Sequence, residues 1–140
     1  MQNKLIKTTN LQLDGKHAKR INVPLLLTFS QADCAFCVKL AEEVLQPMLI
    51  SGDYTDRVLI RELMIDHGKD VIDFNGAAVS AREIFTRYRL FVTPSVLIMD
   101  SQGLELAERQ IGINTVDYYG FYLDQAIDLA LAKLRKNSNE

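Results

Sequence analysis

A chain of 140 residues, 48% hydrophobic and 24% charged, is long enough for one domain with a real core and has an ordinary soluble composition. A formal net charge of −2 with no basic block argues against nucleic acid as the main partner, and no apolar run approaches the length of a membrane span. The opening Met1-Gln2-Asn3-Lys4-Leu5-Ile6-Lys7 holds basic residues but no continuous apolar segment of the signal-peptide kind. That fits either a cytosolic protein or the trimmed form of an exported one.

No repeat, low-complexity tract or linker divides the chain, so residues 1–140 are expected to form a single domain with its core at about 10–135. Thr9-Asn10-Leu11-Gln12 reads as a helix start, with Thr9 as cap and Gln12 reaching back, although Gly15 weakens the helix. Pro24 to Ser30 is nearly all apolar and predicts a strand covered on both faces. A helix follows from about Ala35, with Leu40, Ala41, Val44, Leu45 and Met48 on its apolar face; Pro47 is expected to kink it or end its regular part. Val58 to Asp66 predicts a second strand, and Asp66 to Gly76 an irregular connection with a short turn.

Ser80-Ala81-Arg82-Glu83 is a capping-box signature for a helix through Tyr88, with Ile84, Phe85 and Tyr88 on one side. Pro94 to Met99 predicts a third strand, Asp100-Ser101-Gln102-Gly103 a tight turn using a positive φ at Gly103, and Leu104 to Ile111 a returning fourth strand ended by Gly112. Asn114 or Thr115 is expected to cap a last helix with Tyr119, Leu123, Ala126, Ile127, Ala130 and Leu134 inward. The polar tail from Lys133 to Glu140 is expected to fray. The strand–helix–strand start requires a parallel pair, whereas the later hairpin requires an antiparallel one. One mixed sheet of four strands, with room for a fifth and helices on both faces, satisfies both.

The only two cysteines stand together in Cys34-Ala35-Phe36-Cys37, between the first strand and a helix. Residues three apart share a helix face, so the sulfurs can reach bonding distance without distorting the backbone. The unpaired N–H groups of the helix start favour a thiolate on the first. A structural disulfide closing so short a loop would constrain the unfolded chain little. Structural zinc wants four ligands, and only His17 and His67 remain as nitrogen donors, without paired spacing. Thiol–disulfide chemistry is the better reading. His17 and His67 read as surface residues, and Tyr118, Tyr119 and Tyr122 as partial core packing of the last helix.

This element order, with the cysteine pair after the first core strand and Thr93-Pro94 opening a later one, resembles the thioredoxin fold. Phe29-Ser30, Asp73-Phe74-Asn75-Gly76, Phe91-Val92-Thr93-Pro94-Ser95, Asp100-Ser101-Gln102-Gly103 and Gly112 before an aromatic-rich helix are similar to its SoxW-like branch, over roughly residues 10–130. The resemblance implies a cis Thr93–Pro94 bond beside the disulfide and a substrate groove shaped by Thr93 and Pro94. It further implies Cys34 as the attacking thiolate and Cys37 as the resolving one, with no metal or organic cofactor.

It implies a monomeric thiol–disulfide oxidoreductase, a reductant of protein or small-molecule disulfides that an upstream thiol reductant, such as a membrane thiol carrier, recharges. That branch is typically periplasmic; a cytoplasmic location is the alternative. A binding or chaperone module without turnover, or an oxidase or isomerase using the same cysteines, are the competing functions.

The departures from the family pattern are specific. The usual Trp-Cys-Gly-Pro-Cys is replaced, with Asp33 before the first cysteine opposing its ionisation and Phe36 between the two. Phe36 is a candidate apolar contact for substrate or a residue that sets the thiol environment. Thr28 stands where many thioredoxins carry a buried aspartate that takes a proton from the second cysteine. Glu62, in mid-strand among Ile60, Leu63, Met64 and Ile65, is a candidate replacement, since charge is costly to bury without purpose. The competing placement has Glu62 at the surface, facing solvent or paired with Arg61 or Lys39.

Overall fold

The computed structural model describes residues 4–112 and 117–138. At its centre is a strand that leaves no face to solvent. Leu25–Ser30 is buried along its whole length, and its side chains alternate between two cores. Leu25, Leu27 and Phe29 pack with Leu11, Ile84 and Phe85 on one side, while Leu26 packs with Leu40, Leu45, Leu123 and Ile127 on the other. Each such buried side chain contributes about 2 kcal/mol of transfer free energy.

In chain order the elements are β1 (Ile6–Lys7), α1 (Leu11–Ile21), β2 (Leu25–Ser30), α2 (Ala35–Leu40), α3 (Gln46–Ser51), β3 (Leu59–Met64), β4 (Asp70–Ile72), β5 (Ala78–Ser80), α4 (Ala81–Arg87), β6 (Ser95–Met99), β7 (Gln110–Ile111) and α5 (Tyr119–Ser138). Five strands form one mixed sheet in the order β1-β3-β2-β6-β7. The first three run parallel; β6 runs antiparallel to β2, and β7 antiparallel to β6. This is a thioredoxin-like α/β fold. Among the described residues no helix is long and apolar enough to cross a membrane.

Several boundaries differ from the sequence expectation, each for a physical reason. Asn10, not Thr9, caps α1: its side chain accepts from Leu13 N at 3.0 Å, while the Thr9 carbonyl is engaged by Ile72 N at 3.0 Å. Gly15 does not break α1. It lets the helix approach the turn after β6, where a Cβ would overlap the Ser101 carbonyl oxygen. Pro47 does not end its helix, but the regular α-helical pattern breaks just before it. A π-helical segment, Ala41–Leu45, joins α2 to α3, and Gln46 N donates to Ala41 O, five residues back. This wider turn makes room for a ring that has no N–H to offer.

The connection after β3 carries a two-stranded sheet, β4 with β5, where an irregular segment was expected. Leu104 to Ile111 is not one strand. After Leu106 N donates to Ile98 O at 2.8 Å, Arg109 turns to Glu105 and to the Tyr88 carbonyl at 2.8 Å, and pairing resumes only at β7. The last helix runs through Ser138 rather than fraying from Lys133. The expected caps Asn114 and Thr115 lie outside the described residues.

Candidate active site

The parallel strands β2 and β3 end on the same side of the sheet, and the loop after β2 carries the cysteines onto α2 there. Asp66, just beyond β3, fixes that loop: both carboxylate oxygens accept from Ala32 N, at 3.2 and 3.0 Å. Asp33 then takes a left-handed conformation, φ 57°, which aspartate tolerates better than most residues. This turn presents Cys34 as the N-cap of α2, where its sulfur accepts from Cys37 N at 3.2 Å.

Cys34 and Cys37 are joined as a disulfide with Cα atoms 5.2 Å apart. Their environments are unequal. Cys37 is 4% exposed, whereas Cys34 is only half-buried. The structure brings Thr93 and Pro94 to the same place. The Thr93 hydroxyl donates to Cys34 Sγ at 3.5 Å, and the Thr93 carbonyl oxygen lies 3.7 Å from that sulfur. The Thr93–Pro94 bond is cis. Its setting is held by Ser95 Oγ donating to Val92 O at 2.6 Å and by Gly112 N donating to Pro94 O at 2.8 Å. Phe36 is exposed in the first turn of α2.

Glu62 lies beneath, not on the surface. In the parallel pair β2–β3 it stands opposite Thr28, and in β1–β3 opposite Lys7. Glu62 follows Ile60 on the α2 side of the sheet and is 7% exposed. Its neighbour Arg61 points the other way, donating from Nε to Asp14 Oδ1 at 3.1 Å in a buried pair. The surface pairing of Glu62 with Arg61 is thereby corrected: strand alternation puts the two on opposite faces. A cleft of about 410 Å³ opens between strand ends and helix, lined by Lys7, Ser30, Asp33, Cys37, Glu42 and Glu62, among others.

Four further residues were not singled out as functional by sequence reasoning. Phe91 and Val92, directly before Thr93, are exposed; their position beside Thr93-Pro94 was visible, their exposure was not. Ser30 and Lys7 enter only through strand register. His17 is partly buried and His67 exposed. Of the three tyrosines only Tyr119 is buried, and burial pushes its hydroxyl pKa up; Tyr118 and Tyr122 are exposed.

Comparison with curated proteins gives no match. Solved structures do align. The thioredoxin NaTrxh of Nicotiana alata matches with a TM-score of 0.58 at 19% identity, covering 90% of this chain and 97% of its own. Mitochondrial thioredoxin 3 of Saccharomyces cerevisiae, in its oxidised form, gives 0.59 at 18%, covering 89% and 93%. A DsbH oxidoreductase gives 0.65 at 17%, covering 91% and 88%. These likenesses concern the fold. At the level of sequence, residues 11–127 match the family described as thioredoxin-like domain, well over half the chain, and the protein therefore belongs to that family.

Proposed function

We propose that this chain is a thiol–disulfide oxidoreductase, working as a reductant of protein or small-molecule disulfides. The observation that carries the reading is the unequal cysteine pair at the start of α2: one sulfur half-exposed beside Thr93, the other buried against the sheet. In the reduced protein the Cys34 thiolate, supported by the Cys37 N–H and the Thr93 hydroxyl, attacks one sulfur of a substrate disulfide. That bond breaks and the first substrate sulfur leaves as a thiolate. Cys37 then loses its proton and attacks the Cys34 sulfur. The second substrate sulfur departs, the Cys34–Cys37 bond forms, and two electrons have passed to the substrate.

Thr93 and Pro94 shape the groove for the substrate, and Phe36 offers it an apolar contact. Glu62, buried on the cleft that Cys37 also lines, takes the Cys37 proton in place of the aspartate that Thr28 replaces. The finer reading is a SoxW-like, exported protein that a membrane thiol carrier recharges; the motif pattern around Phe91 to Ser95 supports it.

Replacing Cys34 with Ser should abolish reduction of insulin disulfides, and replacing Cys37 should trap mixed disulfides. Full activity in Cys34→Ser would refute the mechanism. The direction of electron flow follows from the midpoint potential: a value near about −270 mV marks a reductant, one near about −120 mV an oxidant. Glu62→Gln should alter the pH–rate profile of the resolving step; an unchanged profile removes Glu62 from the mechanism.

A further inference from the structure

Beneath the dithiol, the sheet carries hydroxyls that the steps above leave idle. Thr28 and Ser30 follow Leu26 on the α2 side of β2, and both are 1% exposed. Among the described residues neither Thr28 Oγ1 nor Ser30 Oγ has a hydrogen-bond partner. An orphaned buried hydroxyl costs about 1–3 kcal/mol, so its presence calls for an explanation. Ser30, unlike Thr28, lines the cleft that Cys37 and Glu62 share.

We propose that Ser30 is a positioning residue for the resolving step, its hydroxyl holding the water chain that carries the Cys37 proton to Glu62. This rests on the oxidoreductase reading and deepens it. Register supplies the geometry: Glu62 is opposite Thr28, and Ser30 is opposite Met64. Ser30 therefore stands two residues further along β2, toward the loop that delivers the cysteines. The whole cleft that Ser30, Cys37 and Glu62 line is about 410 Å³, against roughly 30 Å³ for one water.

A hydroxyl suits the task because it donates and accepts at once. The proton leaves the Cys37 sulfur for water, passes along the Ser30-held chain and ends on the Glu62 carboxylate. The electron pair left on Cys37 then forms the bond to Cys34 as the substrate sulfur leaves. The charged groups facing this path are Lys7 from β1, Asp33 from the loop and Glu42 from the π-helical segment.

The test follows reduced protein treated with excess 5,5′-dithiobis(2-nitrobenzoate). The first thionitrobenzoate reports Cys34 attack, and the second reports resolution by Cys37. Ser30→Ala should leave the first release unchanged and slow the second roughly tenfold near neutral pH. The gap should close as pH rises past the ordinary thiol range of about 8.5. Ser30→Thr, which restores a hydroxyl, should recover the rate. In a Glu62→Gln background Ser30→Ala should add nothing, because the two act in one path.

Losing an orphaned hydroxyl should leave Tm at or above that of the parent, which separates the effect from misfolding. A parental second release in Ser30→Ala, a slowing that multiplies with that of Glu62→Gln, or failure of Ser30→Thr to recover the rate would each overturn the proposal. Failure of the underlying oxidoreductase reading looks different: the unmodified reduced protein would release no second thionitrobenzoate at all.

Discussion

Thr93 meets Cys34 through two atoms, a hydroxyl that donates to the sulfur and a carbonyl that does not. Only the hydroxyl favours a thiolate, so removing it while keeping the side-chain volume isolates its effect. Thr93→Val should raise the Cys34 thiol pKa by about one unit, equivalent to about 1.4 kcal/mol and near the lower end for a hydrogen bond to a charged group. Thiolate absorbance titrated against pH reads this directly; an unchanged midpoint would show that the hydroxyl does not serve the sulfur. At this scale the sequence was legible where the chemistry lies in short words, as in Cys34-Ala35-Phe36-Cys37 and Thr93-Pro94. Glu62 stood out as a carboxylate in apolar company. Ser30 and Lys7 did not, because only strand register relates either of them to Glu62.

The elements with one dominant signal were readable. The largely apolar run of β2 and the capping box of α4, where Ser80 Oγ accepts from Glu83 N at 3.1 Å, are local facts that the fold preserves. The misreadings share a cause: a distant partner outweighed a local preference. Gly15 reads as a weak point in a helix until Ser101 is seen pressed against it. Leu104 to Ile111 reads as a continuous strand until Arg109 is drawn away by Glu105 and the Tyr88 carbonyl. β1 has two residues, too few for any periodicity, and exists because β3 offers it an edge. Its Lys7 nevertheless completes the cleft.

Across the whole molecule, outlying segments are held to the two cores by carboxylates whose ionisation the fold favours, and this gives stability a defined pH dependence. Asp73, before β5, is 3% exposed and accepts two hydrogen bonds from Arg87 of α4, at 2.6 and 2.9 Å. Those bonds, helped by the Phe74 N–H and opposed by burial, hold its carboxyl below the usual range. Asp124 of α5 is lowered in the same direction, first by the Tyr54 hydroxyl and then by Arg57. A carboxylate lowered in the folded state contributes stability that is complete above the unfolded value, about 4. That contribution is lost as pH falls through the lower folded value.

The opposite sign applies to Tyr88, pushed up to about 12 by burial, whose hydroxyl donates to the Gly103 carbonyl at 2.6 Å. Its contribution is complete below the ordinary tyrosine value of about 10 and lost as pH rises through the folded one. Urea midpoints of the oxidised protein should therefore form a plateau that falls below about pH 4 and again above about pH 10. Asp73→Asn should lower the plateau by about 1–2 kcal/mol, a modest cost because Arg87 is half in solvent, and should flatten the acid limb while leaving the alkaline limb in place. An acid limb as steep as the parent's would show that Asp73 and Arg87 do not couple folding to pH.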